Sequence, residues 1–295
     1  GGDGPRSAPR REAVLVERDE VAPAAQVLDP DRVRVRRALD AVGVLPLADL
    51  AARDRPSVDD DLAVLADAAG EAGISVEEGD VVVFAQKIVS KTEGRIVDLN
   101  EVEPSPFAES VAKTLGKDPR LVEVIFSETT KVIRMDQRKP EKGRLIVETR
   151  GGIISANAGV DASNVSGGDR VTLLPIDSDE SAKKLAEGIR RTFGVEAAVI
   201  ITDTVGRPWR DGLVDIAIGC NGMKAMRDLR GGLDAKGLPL IATVMADADE
   251  LASAAGLVME KAASIPVVII RGYEYEKGGT GAREIIRDPE EDLFR

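Results

Sequence analysis

The chain has no histidine and only one cysteine, Cys220, in 295 residues. Without histidine, the commonest general base and the commonest zinc ligand are missing. A lone cysteine closes no internal disulfide. Catalysis must therefore rest on carboxylates, lysines, arginines, hydroxyls and a bound metal. Aromatic residues make up 3% of the chain, so the core has to be built from Val, Ile, Leu and Ala, and little is available to stack nucleic-acid bases. A formal charge of -12 also opposes wide contact with a phosphate backbone, whose affinity comes from Lys and Arg. No apolar run reaches the ~20 residues of a membrane span, and no signal peptide is visible. Neither nucleic acid nor membrane is an expected partner, and a reducing cytoplasm is the expected compartment.

Of the residues present, 43% are apolar, enough at this length for one large core or two moderate ones. Residues 1–30 are rich in Gly, Pro, Ala, Arg and Glu with no sustained period, and read as a leader or linker. Residues 31–295 carry the fold. A strand is expected at Val33 and Val35, a helix over Asp59 to Ala69, and a buried strand over Val81 to Ala85. Helices start at Ser105-Pro106 and Asp118-Pro119, and strands cover Lys131 to Met135 and Arg144 to Thr149. Ser178 to Phe193 reads as an amphipathic helix capped at Ser178 or Asp179 and stopped by Gly194. Strands follow at Asp215 to Gly219, Ile241 to Ala246 and Pro266 to Arg271, with a helix from Asp249 to about Ala263. Strands and helices mix without a regular βαβ rhythm, and no GxGxxG or P-loop precedes a helix. The expected class is mixed α/β (α+β) with mixed sheets.

Three stretches carry chemistry. Gly151 to Pro175 (GGIISANAGVDASNVSGGDRVTLLP) packs Asn157, Gly159, Asp161, Ser163 and Asn164 into a few residues. Short polar side chains and glycines suit a loop that holds phosphate oxygens and a cation, or simply an Asx-rich turn. Ala197 to Arg210 (AAVIITDTVGRPWR) is a strand buried on both faces with Thr202, Asp203 and Thr204 at its carboxyl end, where open sheets bind ligands. If Asp161 and Asp203 meet, two carboxylates and the Thr204 hydroxyl match the oxygen-rich coordination of Mg²⁺ or Mn²⁺. In Glu78 to Arg95 (EGDVVVFAQKIVSKTEGR), Gln86, Lys87, Ser90, Lys91 and Arg95 follow the end of the buried strand Val81 to Ala85, with lysines and an arginine suited to an anionic ligand or to a solvated edge. Arg207 and Arg210 are anion clamps or members of structural ion pairs. Met259, on its own, reads as core.

The strings GDVVVFAQKIVSKTEGR, SANAGVDASNV, LLPIDSDESA, VIITDTVGRPWRDGLVDIAIG and EEDLFR, in this order from about Arg32 to Arg295, resemble the coenzyme F420-0:L-glutamate ligase family. The resemblance implies a GTP-dependent ligase that needs Mg²⁺ or Mn²⁺, with K⁺ a further candidate. It implies that L-glutamate is joined to F420-0 or dehydro-F420-0, a deazaflavin precursor, and that the subunits form an intertwined homodimer. Carried over by position, Asp161 resembles a metal ligand, and Asp203 with Thr204 a metal-holding pair. Leu45, Pro46, Leu47, Ala48, Gln86, Lys87, Lys91 and Asn164 resemble nucleotide contacts, with Met259 and Lys261 added near the last helix. Lys87, Lys91 and Asp203 are the residues expected to act in catalysis. The family pattern departs after Met259: Glu260 stands one position early for a second metal, or Lys261 puts a fixed charge in a metal's place. Beyond ligation, the residues alone also admit a metal-dependent phosphotransferase or phosphohydrolase, or a nucleotide-binding protein without catalysis.

Overall fold

The computed structural model describes residues 34–36, 62, 75–137, 143–162, 169–259 and 265–293. The expected leader, most of the first helix, and Leu45, Pro46, Leu47, Ala48, Asn164, Glu260 and Lys261 lie outside the described residues.

Two apolar runs set the architecture. Strand β2 (Val81–Ala85) and strand β8 (Ala198–Gly206) lie side by side and parallel, with Val81 opposite Ala198 and Ala85 opposite Thr202. Both are nearly solid Val, Ile, Phe and Ala over the paired part, as strands covered on both faces require. Around this pair a five-stranded sheet runs β1-β12-β2-β8-β9, where β1 is Arg34–Arg36, β9 is Leu213–Asn221 and β12 is Val267–Arg271. Every other pairing in it is antiparallel, so the sheet is mixed as expected.

Because side chains alternate across a strand, the sheet feeds two cores. Val82, Phe84, Val199 and Ile201 face helix α1 (Gln86–Thr92) and helix α4 (Ser178–Phe193), meeting Ile88, Val89, Leu185 and Ile189. Val81, Val83, Ala198 and Ile200 face helix α5 (Asp247–Met259), whose small side chains Ala248, Ala252 and Ala255 allow close approach. A third core lies beside the sheet. Helices α2 (Pro106–Leu115) and α3 (Pro119–Ser127) pack there against strand β5 (Arg144–Thr149) and strand β7 (Arg170–Thr172). Strand β4 (Thr129–Asp136), β5 and strand β6 (Ile154–Ala156) form a three-stranded sheet, and strand β3 (Ile96–Asp98) pairs with β7.

The capping chemistry explains the helix ends. Ser105 and Asp118 cap α2 and α3 from the side chain with Pro at the first position, and Gly116 and Gly194 close α2 and α4 in the left-handed region. Several boundaries differ from the sequence reading. The strand over Val81 to Ala85 falls as expected, and the residues after it, to which no element was assigned, form α1, because Ile88 and Val89 reach the core. The cap of α4 is Asp177, whose carboxylate accepts from Glu180 N. β9 runs nine residues, since Leu213 to Ile216 pair with Asp203 to Gly206 at the end of β8. The expected strand over 241–246 shrinks to β11 (Val244–Met245), paired only with β10 (Arg227–Asp228), and Ile241 is 83% exposed.

β9 is the outer strand, and two carboxylates occupy its unpaired amides. Asp249 Oδ1 accepts from Ala217 N at 2.9 Å, and Asp179 Oδ1 accepts from Cys220 N at 2.9 Å and from Ala282 N at 2.7 Å. Asp179 thus ties α4, β9 and the C-terminal segment together.

The start of α4 rests on β9 at Gly219, where a Cβ would stand 2.2 Å from Ser178 O. Backbone on both sides cannot yield cheaply. Gly219→Ala is expected to lower unfolding stability by about 1–3 kcal/mol in urea titration, whereas Gly206→Ala, with open space around it, should change it far less.

Candidate active site

β2 ends at Ala85, opposite Thr202, while β8 runs on to Gly206, and charged residues follow on both. Ala85 pairs with Thr202, so Lys87 follows the end of β2 by two residues while Asp203 leads out of the same register on the neighbouring strand. Lys87 Nζ reaches Asp161 Oδ2 at 2.8 Å, with the two side chains 24% and 39% exposed. Lys87 and Asp161, from separate segments, are thus brought together, and Asp203 follows the residue paired with Ala85 on the neighbouring strand.

The loop that carries Asp161 is tightly built. Asn157 and Ala158 adopt positive φ of 55° and 56°, and Gly159 follows at 69°. Left-handed backbone at two consecutive non-glycine residues costs about 1–3 kcal/mol each and marks loops held for a purpose. Gly159 must lack a side chain, since a Cβ would sit 2.7 Å from Leu174 Cγ. Asp161 is then fixed by a backbone bridge: its N–H donates to Thr172 O at 3.0 Å, and Thr172 N–H donates to Asp161 O at 2.9 Å. The next two residues after Thr172 hold the other side of the site. Gln86 Nε2 donates to Leu173 O at 3.1 Å, and Arg95 Nε donates to Leu174 O at 2.9 Å. One backbone segment, 172–174, thus sets the spacing of the Asp161 loop, the start of α1 and Arg95.

Lys91 lies one helical turn after Lys87, on the same side of α1, and is 1% exposed. Burial pushes its pKa down from the usual lysine value, and the Lys87 charge pushes it further in the same direction. It is not a lysine on a solvated edge. Gln86 and Ser90, buried beside it, bond to each other at 2.6 Å.

On β8 the donor set divides between the two faces. Asp203 is opposite Ile216 and Thr204 opposite Asp215. The Thr204 hydroxyl donates to Asp215 Oδ1, and Asp215 presses on α5 at Gly256, where a Cβ would meet Asp215 Oδ2. Thr204 therefore points to α5, and Asp203, by strand alternation, to the side of α1 and α4. Met259 ends α5 and is buried in the core beneath the sheet. Arg207 Nη2 donates to the Asp211 carbonyl, a local turn contact. Two partners were not visible in the sequence: Asp215 behind Thr204, and Glu128, which pairs with Arg95 at 2.6 Å. No spacing rule links residues that far apart, and only the folded chain brings them together.

Every donor here is an oxygen or an ammonium, which suits a hard divalent cation and phosphate rather than zinc or a redox metal. Asn157 Oδ1, buried and without a hydrogen-bond partner among the described residues, adds a further hard oxygen. Among the described residues, no group of three or more His, Cys, Asp and Glu forms a metal cage. No described helix is long and apolar enough to cross a membrane.

A mixed α/β frame that presents paired carboxylates and lysines at one strand terminus is that of an enzyme acting on anionic substrates. A family model described as F420-0:Gamma-glutamyl ligase matches residues 57–272. The chain is 47% identical to the coenzyme F420:L-glutamate ligase of Methanopyrus kandleri over 241 residues, 80% of this chain and 92% of that protein. It is 44% identical over 240 residues to the coenzyme F420:L-glutamate ligase of Methanothermobacter thermautotrophicus, covering 80% and 93%, and 43% identical over 221 residues to that of Methanocaldococcus jannaschii, covering 75% and 86%. The chain belongs to the F420-0:gamma-glutamyl ligase family, and it is a ligase.

The buried ammonium of Lys91 costs the fold stability at neutral pH, because the unfolded chain holds its proton more tightly than the folded one. As pH rises towards the ordinary lysine value of 10.5 that cost fades. Lys91→Met is expected to unfold at higher urea than the parent protein at pH 7, with the gap narrowing on alkaline titration. An equal or lower midpoint at pH 7 would show that Lys91 is already compensated.

Proposed function

We propose that this ligase joins L-glutamate to coenzyme F420-0 by an amide bond in F420 biosynthesis, with GTP as the co-substrate, and adds γ-linked glutamates thereafter. The observation that carries the reading is the Lys87–Asp161 pair next to the end of β2, with Asp203 one residue beyond the partner of Ala85 on β8. A carboxylate is a poor acyl donor, so one of its oxygens first attacks the γ-phosphorus of GTP. A phosphorus–oxygen bond forms, GDP leaves, and the acceptor carries an acyl phosphate. The glutamate amine then attacks the acyl carbon. The carbon–nitrogen bond forms, inorganic phosphate departs, and the amine gives up a proton.

Phosphoryl transfer leaves a protein mainly with positioning and charge neutralisation. Lys87 and Lys91 do the latter from α1. Lys87, bonded to Asp161, places a positive charge where the triphosphate has to approach two carboxylates. A divalent cation, Mg²⁺ or Mn²⁺, held by Asp161 and Asp203, would neutralise phosphate charge and orient the transferred group. The Thr204 hydroxyl, expected to join that pair, instead donates to Asp215 on the other face of β8. The residues implied by the family resemblance outside the described ones, Leu45 to Ala48, Asn164, Glu260 and Lys261, complete the nucleotide and metal contacts in this reading. The ligase unit spans residues 31–295, and the compartment is the cytoplasm.

The same reading includes a homodimer. The chain between β8 and α5 carries exposed apolar side chains at Trp209, Leu213, Leu233, Leu238 and Ile241. Exposed apolar side chains grouped in one segment of the sequence are candidates for a subunit contact. Light scattering is expected to give twice the chain mass, and Leu238→Asp with Ile241→Asp to shift it towards the single-chain value.

Mass spectrometry tests the reaction. A glutamate-dependent mass gain on F420-0 with stoichiometric GDP is the expected result, and GTP turnover indifferent to glutamate would end the proposal. Asp203→Asn should weaken Mg²⁺-dependent GTP binding by about 10–100-fold, the worth of a charged contact of 1.5–3 kcal/mol, with an unaltered melting temperature. Unchanged affinity in calorimetry would remove Asp203 from the site.

A further inference from the structure

The Lys87–Asp161 pair joins a mobile cation to a fixed anion. Asp161 is pinned through its own backbone by the two hydrogen bonds with Thr172 and by the left-handed turn that precedes it. Lys87 sits in the first turn of α1 and reaches Oδ2 through a four-carbon stem, ending 2.8 Å away with 24% of its side chain exposed. Of the two, the lysine is the partner that can leave.

Two charge relations decide what can replace it. A hard cation seated on the same oxygen at ~2.1 Å would stand within about 5 Å of the ammonium, and charges of one sign repel strongly at that distance in a half-buried site. The ammonium and a divalent cation therefore compete for Oδ2. Lys87 also has a neighbour of its own sign. Lys91 is buried one turn further along α1, its pKa lowered first by burial and then by the charge of Lys87. Two lysines so placed need an anion close by, and in the free chain Asp161 supplies part of that charge. A divalent cation arriving alone neutralises Asp161 and leaves the repulsion between the lysines less well offset. A triphosphate brings enough negative charge to offset it, and in doing so releases the carboxylate.

We propose that the Lys87–Asp161 pair is a latch: it holds divalent cations off Asp161 until the phosphates of a nucleotide draw the ammonium away, so that metal enters after the nucleotide or together with it. The proposal rests on the ligase reading above, which assigns a cation to Asp161, and adds an order of binding to it. Because coupling between two ligands is reciprocal, the metal in turn tightens the hold on the nucleotide. Between turnovers the centre is thereby kept from holding a divalent cation without its phosphate.

One variant tests both halves. In nucleotide-free protein, followed by the electron paramagnetic resonance of Mn²⁺, Lys87→Met should bind the ion about tenfold more tightly than the parent, the scale of one charge-assisted contact. With EDTA present, the same variant should bind GTP about tenfold more weakly in calorimetry, because the phosphates lose their first cation. Opposite shifts in one variant separate the latch from simple misfolding, which weakens both ligands. Lys87→Arg, which can form the same pair, should keep Mn²⁺ binding in the parent's range, and the double variant Lys87→Met, Asp161→Asn should lose the gain. The proposal is overturned by an Mn²⁺ affinity equal or lower in Lys87→Met, or by a gain that survives removal of the Asp161 charge. It is equally overturned by GTP binding in EDTA that is absent from the parent or unchanged in the variant. Neither titration needs turnover, so absence of glutamate-dependent product in the parent protein counts against the ligase reading alone.

Discussion

The parallel pairing of β2 with β8 is the constraint on which the rest depends. Ala85 opposite Thr202 fixes how far α1 extends relative to Asp203, and so decides that Lys87 and a carboxylate from the neighbouring strand share one end of the sheet. A shift of one residue in that register would turn Asp203 to the other face. Such slippage is opposed by the two cores, because Val82, Phe84, Val199 and Ile201 on one side and Val81, Val83, Ala198 and Ile200 on the other all have fixed places. The hydrophobic contacts of the sheet and the geometry of the charged site are therefore one determination.

The site is braced from outside the sheet by an equally short device. Three consecutive residues, Thr172 to Leu174, carry the bridge to Asp161, the bond from Gln86 and the bond from Arg95. The strained turn at Asn157 and Ala158 delivers Asp161 to that brace. The spacing of Asp161, Gln86 and Arg95 is therefore set by covalent chain and backbone hydrogen bonds rather than by mobile side chains alone, which is what a positioned site requires.

Much of this was readable in the sequence. The solid apolar runs gave both central strands, and the Ser-Pro, Asp-Pro and Gly boundaries gave α2, α3 and α4. Asp161, Asp203 and Lys87 stood out because polar residues at the end of a buried strand need a reason. Less legible was α1, where β-branched Ile88 and Val89 carry a strand-like signal that tertiary burial overrides. The segment 241–246 misled in the opposite sense, because apolar residues exposed at the surface mimic a buried strand. Lys91 could not have been separated from a solvent-facing lysine without knowing which side of α1 meets the core. The partners Asp215 and Glu128 arise from contacts between distant segments that no local pattern encodes.

The outer strand β9 has a consequence for how copies of this chain can meet. With the amides of Ala217 and Cys220 already taken by Asp249 and Asp179, the inner half of this margin offers a poor template for another strand to extend the sheet. Acid works against that protection. Burial raises the Asp249 pKa above its ordinary value, and a protonated carboxyl is a weaker acceptor for the Ala217 amide than the carboxylate.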